Sequence, residues 1–127
     1  MIPAALACEA GRMRIIDDKH PIQLDELRKM ARDMFGDLVK AVVDVVRDTM
    51  AVDAELHADE EAILIQHGSS QHDLWGINLY PELKGDDFVV YDSMINLRPS
   101  RGNRSRGVED PAIRDRIRKI VDRLVTR

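Results

Sequence analysis

One cysteine, Cys8, and five aromatic residues (two Phe, two Tyr, one Trp) are all that this 127-residue chain holds of either kind. A lone cysteine closes no internal disulfide and cannot by itself supply a zinc site, so a reducing, cytoplasmic compartment is expected. So few aromatic rings leave the core to Ile, Leu, Val and Met. No apolar run approaches the roughly 20 residues that cross a bilayer, so no membrane is expected among the partners. Met1–Ala10 has no cationic stretch ahead of its short apolar segment, so no signal peptide is read there. The Walker and dinucleotide fingerprints, the HExxH spacing and the nucleophile elbow are all missing. What is present is 44% hydrophobic and 33% charged residues, which excludes wholesale disorder. The length suits one domain, with residues 1–12 read as a flexible tail and 13–127 as a single α+β domain.

The net charge of −4 hides a division. Residues 1–97 carry 9 Lys and Arg against 19 Asp and Glu, whereas residues 98–127 carry 10 against 4. Such asymmetry points either to a basic contact surface or to a basic C-terminal helix lying across an acidic body.

Periodicity predicts the elements in turn. Met13–Asp17 reads as a strand ended by His20-Pro21. Leu24, Leu27, Ala31, Met34 and Phe35 share one helical face, with Asp25 and Glu26 in the first turn and Gly36 as the stop. Val39–Val46 and Met50–Glu55 read as a hairpin around Arg47-Asp48-Thr49. A short helix capped by Asp59 is expected up to Gly68, with a buried strand over Ile63–Ile65 left open. Leu74–Tyr80 and Phe88–Leu97 alternate as strands, each with an apolar and a polar face. Asp110 and Pro111 then open a helix whose stripe is Ile113, Ile117, Ile120, Val121 and Leu124. The order β-α-β-β-α-β-β-α implies a mostly antiparallel sheet of four to five strands with helices on one face.

Three groups of residues stand out chemically. The loop from Arg98 to Gly107 sets Arg98, Arg101, Arg104 and Arg106 among Asn103, Ser105 and two glycines, just before a helix start. Guanidinium forks, turned backbone N–H groups and a helix N-terminus all suit phosphate or carboxylate. A tight loop whose arginines pair with the acidic body accounts for the same residues. Second, Glu55, His57 and Asp59 would project to one side of an extended strand as metal ligands do, with Glu60, Glu61, His67, His72 and Asp73 nearby. Helix-start chemistry explains them without a metal, and that reading is preferred. Third, Asn78, Tyr80, Asp92 and Asn96 form a polar sheet face that leads through Arg98 into the basic loop; such a face is most often simply solvated. Trp75 has the chemistry to stack a base but sits in step with core residues Ile77 and Leu79.

From about Arg14 onward the chain resembles a family of small uncharacterised bacterial and archaeal proteins. The resemblance rests on Phe35–Asp44, Glu55–Asp59, Leu74-Trp75-Gly76-Ile77-Asn78-Leu79-Tyr80-Pro81 and Ser93–Pro111. It implies a shared fold and transfers no activity, cofactor or catalytic residue.

The expectation drawn from the residues is a non-enzymatic binding protein for an anionic ligand, such as phosphate, a nucleotide or RNA. Its binding residues would be Asn78, Asp92, Asn96, Arg98, Arg101, Asn103, Arg104, Ser105 and Arg106. Two alternatives stand beside it. One is a metal-dependent hydrolase using His57 and nearby carboxylates. The other is a structural module that forms homo-oligomers through its opposed charges. No cofactor is implied by any motif.

Overall fold

Five strands share one antiparallel sheet in the order β1-β4-β3-β5-β6, built from Arg14–Ile16 (β1), Val39–Asp44 (β3), Thr49–Val52 (β4), Leu74–Leu79 (β5) and Val89–Val90 (β6). The computed structural model describes residues 13–127, so the tail expected over 1–12 lies outside the described residues. Among the described residues three helices, Leu24–Asp33 (α1), His57–Gln66 (α2) and Pro111–Leu124 (α3), complete an α+β fold. Two two-residue strands, Ile22–Gln23 (β2) and Val125–Thr126 (β7), pair in parallel and tie the last helix to the first. They are too short to leave a period in the sequence.

The sheet divides the molecule because strand side chains alternate. Ala41, Val43, Met50, Val52, Trp75, Ile77 and Leu79 face α1 and α3, where Leu27, Ala31, Ile117, Ile120, Val121 and Leu124 close the main core. Val42, Ala51 and Leu74 face the other way and meet Leu64 of α2 in a much smaller apolar cluster. Helices therefore cover both faces, and only α1 and α3 lie on the shared one. The α2 stretch packs so because its apolar residues run consecutively as Ile63-Leu64-Ile65, leaving a narrow buried stripe of Leu64 with Glu60 and His57.

The helix starts follow local chemistry. Asp110 Oδ1 accepts the Ala112 N–H at 2.9 Å and Pro111 occupies the first turn, as expected. In α1 the Glu26 carboxylate accepts the Gln23 N–H at 3.0 Å. Helix α2 begins earlier than expected: Leu56, not Asp59, is the cap residue, and Asp59 lies in the first turn. An acid there still meets the positive helix end, so both placements satisfy the same electrostatics. Gly68 ends the segment at φ 105°, where a Cβ is disfavoured.

The largest correction concerns Phe88–Leu97. Only Val89–Val90 pairs as a strand; the chain then leaves the sheet and forms a 3-10 turn at Met94–Asn96. Ser93 Oγ caps that turn by accepting the Ile95 N–H at 3.2 Å. The sheet edge that a longer strand would cover is met by one side chain. Asn96 Oδ1 accepts the Gly76 N–H at 2.8 Å and Asn96 Nδ2 donates to the Gly76 carbonyl at 2.9 Å. An amide side chain has the donor and acceptor of a peptide group, so it completes the ladder where the backbone departs.

Candidate functional site

The basic loop is built on asparagine. Asn103 is buried, and its Nδ2 donates to the carbonyls of Asn96 (2.7 Å), Gly107 (2.8 Å) and Ser105 (3.1 Å). Its Oδ1 accepts the Glu109 N–H at 2.9 Å, and the Glu109 carboxylate accepts the Arg104 N–H at 2.7 Å. Arg98 and Asn103 exchange backbone hydrogen bonds of 2.8 and 3.1 Å across the neck. Between them Pro99–Arg101 makes one 3-10 turn ended by Gly102 at φ 88°. Ser105 Oγ accepts the Gly107 N–H at 3.2 Å. Asn96 and Asn103 thus hold the loop's backbone, with buried amides saturated as burial requires.

The four arginines separate into two kinds. Arg98 is half-buried over the Trp75 ring, 4.6 Å from its centroid, and donates to the carbonyls of Ile95 (3.1 Å), His72 (3.2 Å) and Leu74. Burial lowers its pKa from the ordinary guanidinium value. Arg106 Nε donates to Asp92 Oδ1 at 2.7 Å. Arg101 and Arg104 are exposed, and among the described residues no carboxylate pairs with either side chain.

Next to Arg101 opens a cleft of about 520 Å³. Gln71, His72, Ser100 and Arg101 give it polar walls, and Met94 and Leu97 an apolar one. Arg98 lines it too, and of these residues the sequence pattern points to a binding role for Arg98 and Arg101 alone. Nothing in the sequence pattern marks Gln71 or Met94, because the turns that carry them have no period of their own.

The helix arginines behave differently from those of the loop. Arg116 and Arg123 both pair with Asp48, Arg123 also with Asp18, and Arg118 with Asp122. Arg114 donates to the carbonyls of Val108 and Glu109. The basic helix does lie across acidic parts of its own domain, while the loop keeps its free cations.

The polar sheet face gathers residues from two of the groups singled out in sequence. Asn78 is buried, its Nδ2 reaching the Asp92 carbonyl at 3.4 Å while its Oδ1 has no partner among the described residues. Tyr80 follows it at the end of the strand, half-buried. His57 is buried above the same strand, its Nε2 2.7 Å from the Ile77 carbonyl. That contact makes Nε2 the protonated nitrogen, and burial pushes the imidazole pKa down, so the ring is neutral. Glu55 and Asp59 instead line a separate cleft of about 240 Å³ with Asp53, so the three proposed metal ligands do not converge. Among the described residues no group of three His, Cys, Asp or Glu side chains is placed to hold a metal ion. Ser93 and His57 both border Gly76, but the His57 Nε2 is taken up by the Ile77 carbonyl and cannot accept a serine proton.

Residues 14–124 match a family described as a protein of unknown function (DUF5674). The chain belongs to that family. No curated protein and no solved structure matches it. Among the described residues no helix is long and apolar enough to cross a membrane.

Proposed function

We propose that this family member is a non-enzymatic binding protein for an anionic ligand, taken at the cleft beside the Arg98–Gly107 loop. The observation that carries the reading is the division within the loop. Arg98, Asn103 and Asn96 are engaged in holding it, whereas Arg101 and Arg104 stand exposed on a fixed backbone without an acidic partner among the described residues. Cations held on an ordered frame lose less freedom on binding than cations on a mobile chain. Guanidinium forks suit phosphate and carboxylate, and the single cysteine fits a cytoplasmic protein.

Binding of inorganic phosphate and of a short single-stranded RNA, followed by titration at rising salt, tests this. The double variant Arg101→Ala/Arg104→Ala is expected to lower affinity at least tenfold while leaving the circular dichroism spectrum unchanged. Affinity should fall steeply with salt, as ion-pair contacts to phosphate do. Binding that ignores both the variant and the salt would remove the loop from the site.

A further inference from the structure

The cleft has features that an ion site would not need. Met94 is 62% exposed and Leu97 41% exposed, two of the larger apolar side chains left in water by this fold. Both stand on the frame that Asn96 and Asn103 hold in place, and with Ile95 and Pro99 they form one wall. Arg101, Ser100, Gln71 and His72 supply polar groups to the same lining. One carboxylate, Glu61 of α2, joins the lining. The volume, about 520 Å³, falls in the range of small-ligand sites.

Each part selects against a simple anion and for a composite ligand. Phosphate alone gains nothing from Met94 and Leu97, whereas a flat, polarisable ring buries area against a thioether and a leucine. Gln71 has both a donor and an acceptor for the polar edge of such a ring. The guanidinium of Arg101, which no carboxylate among the described residues holds, suits a phosphate. Glu61 would repel a chain of phosphates but accepts hydrogen bonds from neutral hydroxyls, the role an acid plays toward ribose in dinucleotide sites. We infer that the ligand is a ribonucleotide unit bearing one phosphate, its base on Met94 and Leu97, its ribose at Glu61 and its phosphate at Arg101. The inference rests on the anion-binding reading of the same cleft and adds the class of ligand. Such a unit occurs as a free ribonucleoside monophosphate and as a residue of single-stranded RNA.

Calorimetric titration of the full chain with AMP, dAMP, adenosine, inorganic phosphate and hexa-adenylate RNA separates the possibilities. AMP is expected to bind at least tenfold more tightly than either adenosine or phosphate. Met94→Ser and Leu97→Ser, both at exposed positions, should weaken AMP and leave phosphate unchanged. Arg101→Ala should weaken both. Glu61→Gln should weaken AMP more than dAMP. Hexa-adenylate that binds much more tightly than AMP makes the source an RNA strand; equal affinities make it the free nucleotide. If AMP and phosphate bind alike and Met94→Ser changes neither, the ribonucleotide inference fails while anion binding stands. If neither binds and Arg101→Ala is without effect, both fail.

Discussion

The two faces of the sheet are made differently. Toward α1 and α3 the side chains are apolar almost without interruption, from Ile16 and Phe88 to Ile117 and Leu124. Toward α2 a cluster of Val42, Ala51, Leu64 and Leu74 is bordered by buried Asp44, His57, Glu60, Asn78, Ser93 and Asn96. Apolar burial is non-directional and tolerates repacking, whereas buried polar groups demand named partners. The first face therefore supplies stability, and the second fixes loops: Asp44 Oδ1 accepts the N–H groups of Val46 and Arg47 (both 2.9 Å) and its Oδ2 accepts Ser69 Oγ–H at 2.6 Å. The cleft and its basic loop grow from the second face.

The comparison breaks first, and most heavily, at Ile117. This residue is fully buried among α1, α3 and the sheet, and Ile117→Ala removes methyl groups that nothing nearby can replace. A loss of about 2–5 kcal/mol in urea unfolding is expected, with the whole domain destabilised together. A loss under about 1 kcal/mol would mean that the main core lies elsewhere.

On the polar face the next largest effect is expected at Gly76. A Cβ there would sit 2.5 Å from Ser93 Cβ and 2.6 Å from its Oγ. Ser93 cannot retreat freely, because its N–H donates to the Arg106 carbonyl at 2.9 Å. Gly76→Ala should cost about 1–3 kcal/mol through overpacking. Adding Ser93→Gly should recover most of it, since the hard clash is with that side chain, while His57 Cδ2 at 3.2 Å is only a tight contact. A double variant no better than the single one would place the strain in the backbone instead.

Glu60 sharpens the contrast through pH. Its carboxyl is fully buried under α2, with Oε2 accepting the Ala54 N–H at 3.0 Å and Oε1 without a partner among the described residues. Burial raises its pKa well above the ordinary 4.5, against Lys40, which lowers it, and with Asp53 and Asp59, which raise it further. The folded chain thus keeps this proton to higher pH than the unfolded chain, and stability falls as pH climbs above about 4.5 until the folded pKa is passed. His57 acts in the opposite sense. Its lowered pKa leaves the unfolded chain binding the proton more strongly, so stability falls as pH drops below 6.5. Glu60→Gln should flatten the alkaline slope and expose the acidic one. An unchanged profile would show that Glu60 ionises freely.

Much of this was readable from residues. The stripe of α3, its Asp110-Pro111 start, the β3–β4 hairpin and the α+β class all follow from spacing, because apolar periodicity reports burial directly. The strand expected over Phe88–Leu97 was not readable, since its alternation continues into a turn where Asn96 replaces a strand backbone with a side chain. Periodicity cannot distinguish the two. The site shows the same limit. The Arg98–Gly107 loop was conspicuous by composition, but which arginine anchors and which is free depends on Trp75 and the carbonyls of His72 and Leu74, more than 20 residues away in the chain. In sequence His57 belongs to a different group from Asn78 and Asp92; only folding brings it to their face.

The smallest effect on stability is expected at Arg104, and its smallness is the point. The side chain is exposed, no acid among the described residues pairs with it, and its backbone N–H takes part in the loop through Glu109. Arg104→Ala keeps that N–H, so the melting temperature should not move beyond error. Arg98→Ala is the internal reference within the same loop. It leaves the carbonyls of Ile95, His72 and Leu74 without their donor and uncovers the Trp75 ring, at a cost of about 1–3 kcal/mol. Measured side by side in thermal unfolding, the two variants decide whether the loop is divided between anchor and free cation. Equal losses would mean that Arg104 also holds the fold, and the case for a ligand at its guanidinium would lose its basis. A large loss at Arg98 with none at Arg104 leaves an exposed arginine that folding does not need, on the same loop as the Arg101 that lines the cleft.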